Sequence, residues 1–238
     1  MIGRLLHTYK TIHQLVRMQA GNRSRENDLL AMAMMHSLVH EGKYLPFTQF
    51  SLSPYALATL MNDIVINRRQ NILEFGAGIS TILNARLIRK NGLAATITSV
   101  DHHGEWLQIV KDTLVEEDLL KYVTFIEAPL VKSPRFNHGL PWYNTDILDA
   151  SLKGKYDLVL VDGPPTTDKL DRYPALPYMQ NRLSDRFSFY LDDASRDSEQ
   201  AVLRRWEAEH KIPFTVLEHS IALGSKGTMF SSGLRAYL

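Results

Sequence analysis

The spacing of apolar positions changes near residue 70, and that change divides the chain. Ile2, Leu5, Leu6, Tyr9, Ile12 and Val16 recur at helical spacing and predict an amphipathic helix. A second helical run, Asn27 to His40, stops at Gly42, a natural C-terminal breaker. Irregular sequence follows through Phe47 and Phe50. Ser53 then reads as an N-cap with Pro54 at the first helical position, and Leu57, Leu60, Met61, Ile64 and Val65 share one face. From Asn71 onward, short apolar runs alternate with helical patterns. Ile72–Phe75, Ala95–Val100, Tyr122–Ile126, Tyr156–Val161 and Phe187–Leu191 read as five strands. Ile79, Ile82, Leu83 and Leu87 mark the helix after the first strand; Trp106, Val110 and Leu114 mark the one after the second. Val202, Leu203 and Trp206 follow the fifth strand. Repeated strand–helix units predict a parallel sheet with helices on both faces. Phe214–Leu217 and Thr228–Ser231 are expected to close the chain as two strands. The link between them is too short for a parallel crossover, so the last strand should run antiparallel.

Composition narrows the function classes. Hydrophobic residues at 45% and charged residues at 22% are those of a well-packed globular protein. A formal net charge of +1 argues against a protein built to neutralise nucleic acid. With no Cys, disulfides, thiolate metal sites and a cysteine nucleophile are excluded, and a cytoplasmic location fits. No apolar run approaches a membrane span. Residues 1–25 stand apart: Arg4, Lys10, Arg17, Arg23 and Arg25 are basic, and no acid precedes Glu26. That pattern suits a helix lying on an anionic membrane surface, or one packed on its own domain or on a second subunit of a homodimer. Residues 1–52 are therefore read as a helical extension and 53–238 as the main domain.

The chemistry starts at the stretch NILEFGAGISTI. Gly76 and Gly78 follow the first strand and let backbone approach a ligand, and the helix from Ile79 offers N–H groups to a carboxylate or phosphate. A dinucleotide-binding turn would carry a third glycine where Thr81 stands. Glu74, two places before Gly76, would repel a pyrophosphate and favour an ammonium or sulfonium. Those features together suggest S-adenosylmethionine, which carries a carboxylate, an ammonium, a sulfonium and a ribose. Asp101, ending the second strand, could accept the ribose hydroxyls or cap the next helix. His102 and His103 stand either against the adenine or in an exposed loop.

At this point EFGAGIST, SVDHH, YDLVLVDGPP and FYLDDASR, in that order, resemble the class I S-adenosylmethionine-dependent methyltransferases. The resemblance is specific at family level, and the chain is similar in particular to small bacterial members with VDGPP after strand four and an acidic pair after strand five. It implies a Rossmann-like methyltransferase sheet of order 3-2-1-4-5-7-6 with strand seven antiparallel. It also implies that Glu74, Gly76, Ala77 and Gly78 hold the methionine moiety, with Asp101 on the ribose. Glu127 and Ala128, after the third strand, would lie by the adenine.

Asp162 ends the fourth strand, and Asp192 and Asp193 end the fifth. Three carboxylates around one point suit Mg²⁺, as in the catechol-type O-methyltransferases, where the second pair is Asp-Asn instead of Asp-Asp. Against a metal, successive strand residues point to opposite faces, and Asp197 with Gln200 resembles a capping box. Asp162 is the candidate base for an acceptor hydroxyl. The long segments after strands three and four, with Trp142, Tyr143, Lys169 and Arg172, are the candidate acceptor region. Trp142 and Tyr143 could stack on an acceptor ring or cover the sheet edge. The expected activity is methylation of an oxygen on a small molecule or saccharide. A nucleotide-dependent oxidoreductase and a non-catalytic S-adenosylmethionine-binding protein are the alternatives.

Overall fold

The computed structural model describes residues 24–132, 141–166, 170–218, 221–228 and 230–234. The basic N-terminal stripe, Lys169 and part of the expected last strand lie outside these residues. Helix α1 covers 24–39, and α2 (Pro54–Ile66) starts as expected, with the Ser53 side chain accepting from the Ala56 N–H. Strand β1 (Asn71–Phe75) leads into α3 (Ile79–Asn91), and β2 (Thr96–Asp101) into α4 (Gly104–Glu116). β3 (Val123–Glu127) is followed by a hairpin of β4 (Leu130–Lys132) and β5 (Pro141–Tyr143), then by α5 (Thr145–Ser151). β6 (Tyr156–Val161), α6 (Ala175–Met179), β7 (Leu183–Leu191), α7 (Asp197–His210), β8 (Phe214–Val216) and β9 (Ala222–Lys226) complete the chain.

Seven strands form one sheet in the order β3-β2-β1-β6-β7-β9-β8. β9 alone is antiparallel to its neighbours, so the expected order and the reversed strand are both present. The register puts the ligand-side ends together: Phe75 pairs with Val100 and Val161, Asp101 with Glu127, and Val161 with Leu191. Strand alternation sorts the core into two layers. Ile72, Leu158, Leu160 and Tyr190 face α1 to α4, while Leu73, Phe75, Val159, Val161, Phe189 and Leu191 face Trp142, Tyr143 and Trp206.

Two expectations need correction. The last strand is Ala222–Lys226, earlier than Thr228–Ser231. Gly224 hides it in the sequence, since a Cβ there would meet the Phe214 ring 2.7 Å away; the glycine makes room for that ring. The Thr228 hydroxyl instead accepts from Arg69, and Phe230 exchanges hydrogen bonds with Asn67 at the end of α2. Asp197 is not part of a capping box: Arg196 holds the N-cap position of α7, and Gln200 donates to the Ala194 carbonyl. Among the described residues no helix is long and apolar enough to cross a membrane.

Arg86 joins the N-terminal segment to the sheet domain. Its side chain is fully buried on α3, and it donates to the carbonyls of Leu38, Val39 and Lys43. Both Glu117 oxygens accept from the same guanidinium, at 2.8 and 2.6 Å. The arginine thus satisfies carbonyls left free at the end of α1. Arg86→Ala would strand a buried carboxylate and three carbonyls, and the expected loss is on the order of 3–5 kcal/mol in urea unfolding.

Candidate functional site

A cavity of about 860 Å³ opens above the ends of β1, β2 and β6. Its floor is Gly76, Ala77 and Gly78, with Asp101 to one side and Asp162 and Gly163 to the other; residues 44–46 and 48–52 form an outer wall. Gly76 sits at φ +99°, and a Cβ there would stand 2.6 Å from the Asp162 carbonyl oxygen. Only glycine allows the two strand exits to run that close. Gly78 is different. Its backbone is extended, and nothing lies within 4 Å of the place a Cβ would occupy.

Three neighbours hold the turn. One Asp101 oxygen accepts from the Ala77 N–H at 2.9 Å, and the other from the His103 N–H at 2.9 Å. The Trp106 indole donates to the Ala77 carbonyl at 2.7 Å. Thr81, standing in the third-glycine place, accepts from the Gly78 N–H at 3.0 Å and donates to Glu74. The helix cap that Asp101 might have supplied comes from His103, whose ring accepts from the Trp106 N–H. Sequence reading treated Trp106 as a core marker only; its exposed ring edge and its link to the turn appear once α4 is in place.

Glu74 does not line the cavity. Its carboxyl is 2% exposed and turned toward α3 and β2, where it accepts from Ser80, Thr81 and Ser99. Burial pushes its pKa up to about 7 despite those three hydroxyls. Glu127 and Ala128 also lie off the cavity wall. The Glu127 carboxyl packs over Gly104 at the start of α4, and the Ala128 N–H donates to the Asp101 carbonyl. His102 does line the cavity, with Nδ1 3.2 Å from Asp101 Oδ1.

Trp142 and Tyr143 are fully buried against Phe75, with ring centroids 5.4 and 5.6 Å away. They belong to the core beneath the cavity and do not cover a sheet edge. Tyr143 still reaches the ligand side. The residue lines the cavity, and its hydroxyl, buried beside Gly163, has no hydrogen-bond partner among the described residues.

Carboxylate oxygens of Asp162, Asp192 and Asp193 come within 4.8 Å of one another. Alternation along β7 would have separated the last two. Asp193 instead takes a left-handed backbone, φ +59°, which aspartate tolerates, and so both acids face the same cluster. Burial, then the charge of Asp192, holds the Asp162 carboxyl well above its ordinary range. Burial and the charge of Asp193 raise Asp192 to about 6. Arg172, 4% exposed, enters this cluster from the loop before α6.

The raised Glu74 carboxyl has a measurable consequence. A buried acid with a higher folded than unfolded pKa binds more protons when folded, so its stabilisation is complete below about 4.5 and is lost as pH rises through about 7. Glu74→Gln removes that dependence. Between pH 4.5 and 8, wild type should lose on the order of 3 kcal/mol more than the variant in urea unfolding.

The fold and this cavity can be set beside known proteins. No curated protein sequence matches the chain. Among solved structures, the SAH-bound methyltransferase PaMTH1 of Podospora anserina has a TM-score of 0.57 at 13% identity, covering 84% of this chain and 87% of its own. The O-methyltransferase TomG of Streptomyces achromogenes, involved in tomaymycin synthesis and solved with SAM, scores 0.53 at 15% identity, covering 83% and 90%. An O-methyltransferase of Bacillus cereus in complex with SAH scores 0.53 at 15% identity, covering 84% and 91%. A family model described as a methyltransferase domain matches residues 73–194, which begin inside β1 and end just past Asp192 and Asp193. That match takes in just over half of the chain, and the protein belongs to the methyltransferase-domain family.

Proposed function

We propose that the protein transfers a methyl group from S-adenosylmethionine to an oxygen of a small-molecule or saccharide acceptor. The open space beside Gly78 carries this reading. A glycine at an N-cap has no side chain to satisfy the first N–H groups of α3, and nothing in the protein fills the place beside it. A donor carboxylate there would meet free N–H groups and the positive end of the helix. Each Asp101 oxygen accepts one backbone N–H and keeps a lone pair facing the cavity for a ribose hydroxyl. The unpartnered Tyr143 hydroxyl adds a donor at the opposite side of the turn. Glu74 enters this reading through Thr81 and Ser80, which it orients, and not through contact with the donor. The SAM and SAH complexes of three neighbours, two of them O-methyltransferases, support the donor and the oxygen acceptor. An oxidoreductase reading has no support in the turn, where Thr81 serves as a hydrogen-bonding residue.

Transfer to oxygen requires loss of one proton. The acceptor O–H gives its proton to the Asp162–Asp192 pair, which burial and mutual repulsion keep basic. The oxygen then attacks the methyl carbon, the carbon–sulfur bond breaks, and its electron pair stays on sulfur to leave S-adenosylhomocysteine. Burial at the turn excludes water, and most of the rate should come from in-line positioning. Mg²⁺, which three acids could suit, takes no part in these steps, because guanidinium groups already face Asp162 and Asp193.

Calorimetry with SAM, SAH and NAD⁺ tests the donor. SAM and SAH should bind one per chain, and each at ~100 times its dissociation constant should stabilise by roughly 2.7 kcal/mol. Binding of NAD⁺ alone would defeat the reading. The two glycines give a sharper test. Gly78→Ala should keep stability within about 0.5 kcal/mol yet weaken SAM binding at least tenfold, since the new methyl enters ligand space only. Gly76→Ala should lose roughly 1–3 kcal/mol with or without ligand. With an acceptor in hand, Asp162→Asn should cost about 10²–10⁴ in kcat.

A further inference from the structure

We infer that the Arg172 guanidinium is the resident cation of the acidic cluster, standing where a divalent metal would stand, so that this protein's methyl transfer proceeds without one. The inference rests on the methyl-transfer reading above. Its warrant is how Arg172 is held. Nε donates to the Pro164 carbonyl at 3.1 Å and Nη1 to the Asp192 carbonyl at 3.2 Å. These two bonds tie the loop after β6 to the end of β7 and fix the planar group between them. From that position Nη1 lies 3.4 Å from Asp193 Oδ2, and Nη2 lies 3.9 Å from Asp162 Oδ1. The side chain is 4% exposed, so it is no solvent-borne charge resting against a surface acid.

Cations already face the acids. Asp193 also accepts from Arg196 Nη1 at 2.7 Å. Three carboxylates thus face two guanidiniums. A divalent ion entering the same space would need anionic oxygens at about 2.0–2.1 Å and its own waters around them. To bind there it would have to displace a buried guanidinium whose two carbonyl partners would be left unpaired. A buried arginine stripped of its partners is costly, on the scale that disfavours breaking any buried ion pair. Arg172 acts on the reaction through the acids it neutralises and is a positioning residue.

The full chain titrated with Mn²⁺ in the presence of SAH, followed by the loss of the free-ion paramagnetic resonance signal, reads the cation directly and needs no acceptor. Wild type should take up no Mn²⁺ at this cluster, and Arg172→Lys should behave the same way because it keeps a charge. Arg172→Met should gain one Mn²⁺ per chain, a gain abolished by a second substitution, Asp193→Asn. A purely structural arginine would create no such site. One Mn²⁺ per wild-type chain, lost in Asp193→Asn, would overturn the inference. So would Arg172→Met that stays folded, as its circular dichroism shows, and still binds none. Should Arg172→Met fail to fold, the wild-type and Asp193→Asn titrations decide alone. SAH binding, measured by calorimetry on the same sample, reports separately: its absence defeats the methyl-transfer reading and leaves the metal result readable.

Discussion

The structure depends on neutralising carboxyl groups that end, or nearly end, the parallel strands at one rim of the sheet. Glu74 lies near the end of β1, Asp101 ends β2, Asp162 follows β6, and Asp192 and Asp193 follow β7. All but Asp193 and the partly shielded Asp162 are nine-tenths buried or more. An ionised carboxylate without partners in such a place costs several kcal/mol. The protein meets that cost in three ways. Hydroxyls surround Glu74, backbone N–H groups bind Asp101, and arginines face Asp162 and Asp193. Each solution fixes geometry as well as charge. The hydroxyl cluster orients the start of α3, the Asp101 bonds lock the glycine turn to β2, and Arg172 joins two loops.

This division of labour assigns the acids different roles. Asp101 has spare lone pairs on the cavity side and is suited to contact a ligand. Glu74 has its oxygens engaged on the protein side and works as a support. The position of an acid two places before the first glycine therefore has a local cause. Thr81 needs an acceptor for its hydroxyl while its own oxygen receives the Gly78 N–H, and Glu74 is that acceptor. Attraction between Glu74 and a cationic sulfur, the reason first considered for it, is weakened by the intervening hydroxyls and by a pKa near neutrality. On the proposed function, selectivity for the donor would come from the helix end, Asp101 and Tyr143.

Much of this was legible in the sequence. Short apolar runs bounded by glycine and charge located β1, β2, β6 and the ligand-side half of β7 to within a residue, because strands buried on both faces read as near-continuous apolar segments. The glycine turn and the acids after β6 and β7 were likewise evident, since chemistry fixes their place at strand ends. What escaped depends on contacts between distant segments. β9 contains Gly224 and Ser225 and has no apolar signature; its conformation comes from pairing with Phe187–Leu191. The β4–β5 hairpin reads as loop, yet it delivers Tyr143 to the cavity. Arg172 read only as part of a candidate acceptor region, because nothing in LDRYP says that it folds back under Pro164.

The contrast between Gly76 and Gly78 shows why a two-glycine turn is weak evidence in a sequence and strong evidence in a structure. Both residues are small, and a pattern search treats them alike. In space, the first is required by the protein itself, as the Asp162 carbonyl fills the volume where a side chain would begin. The second borders empty volume and keeps an ordinary extended backbone, so no internal clash demands glycine there. A residue that packing leaves unconstrained, set at the mouth of a helix and facing a cavity, is constrained instead by whatever the cavity receives. Gly76 is therefore demanded by folding, while on the proposed function Gly78 serves binding, and the space beside Gly78 is where a donor's carboxylate would approach the first turn of α3.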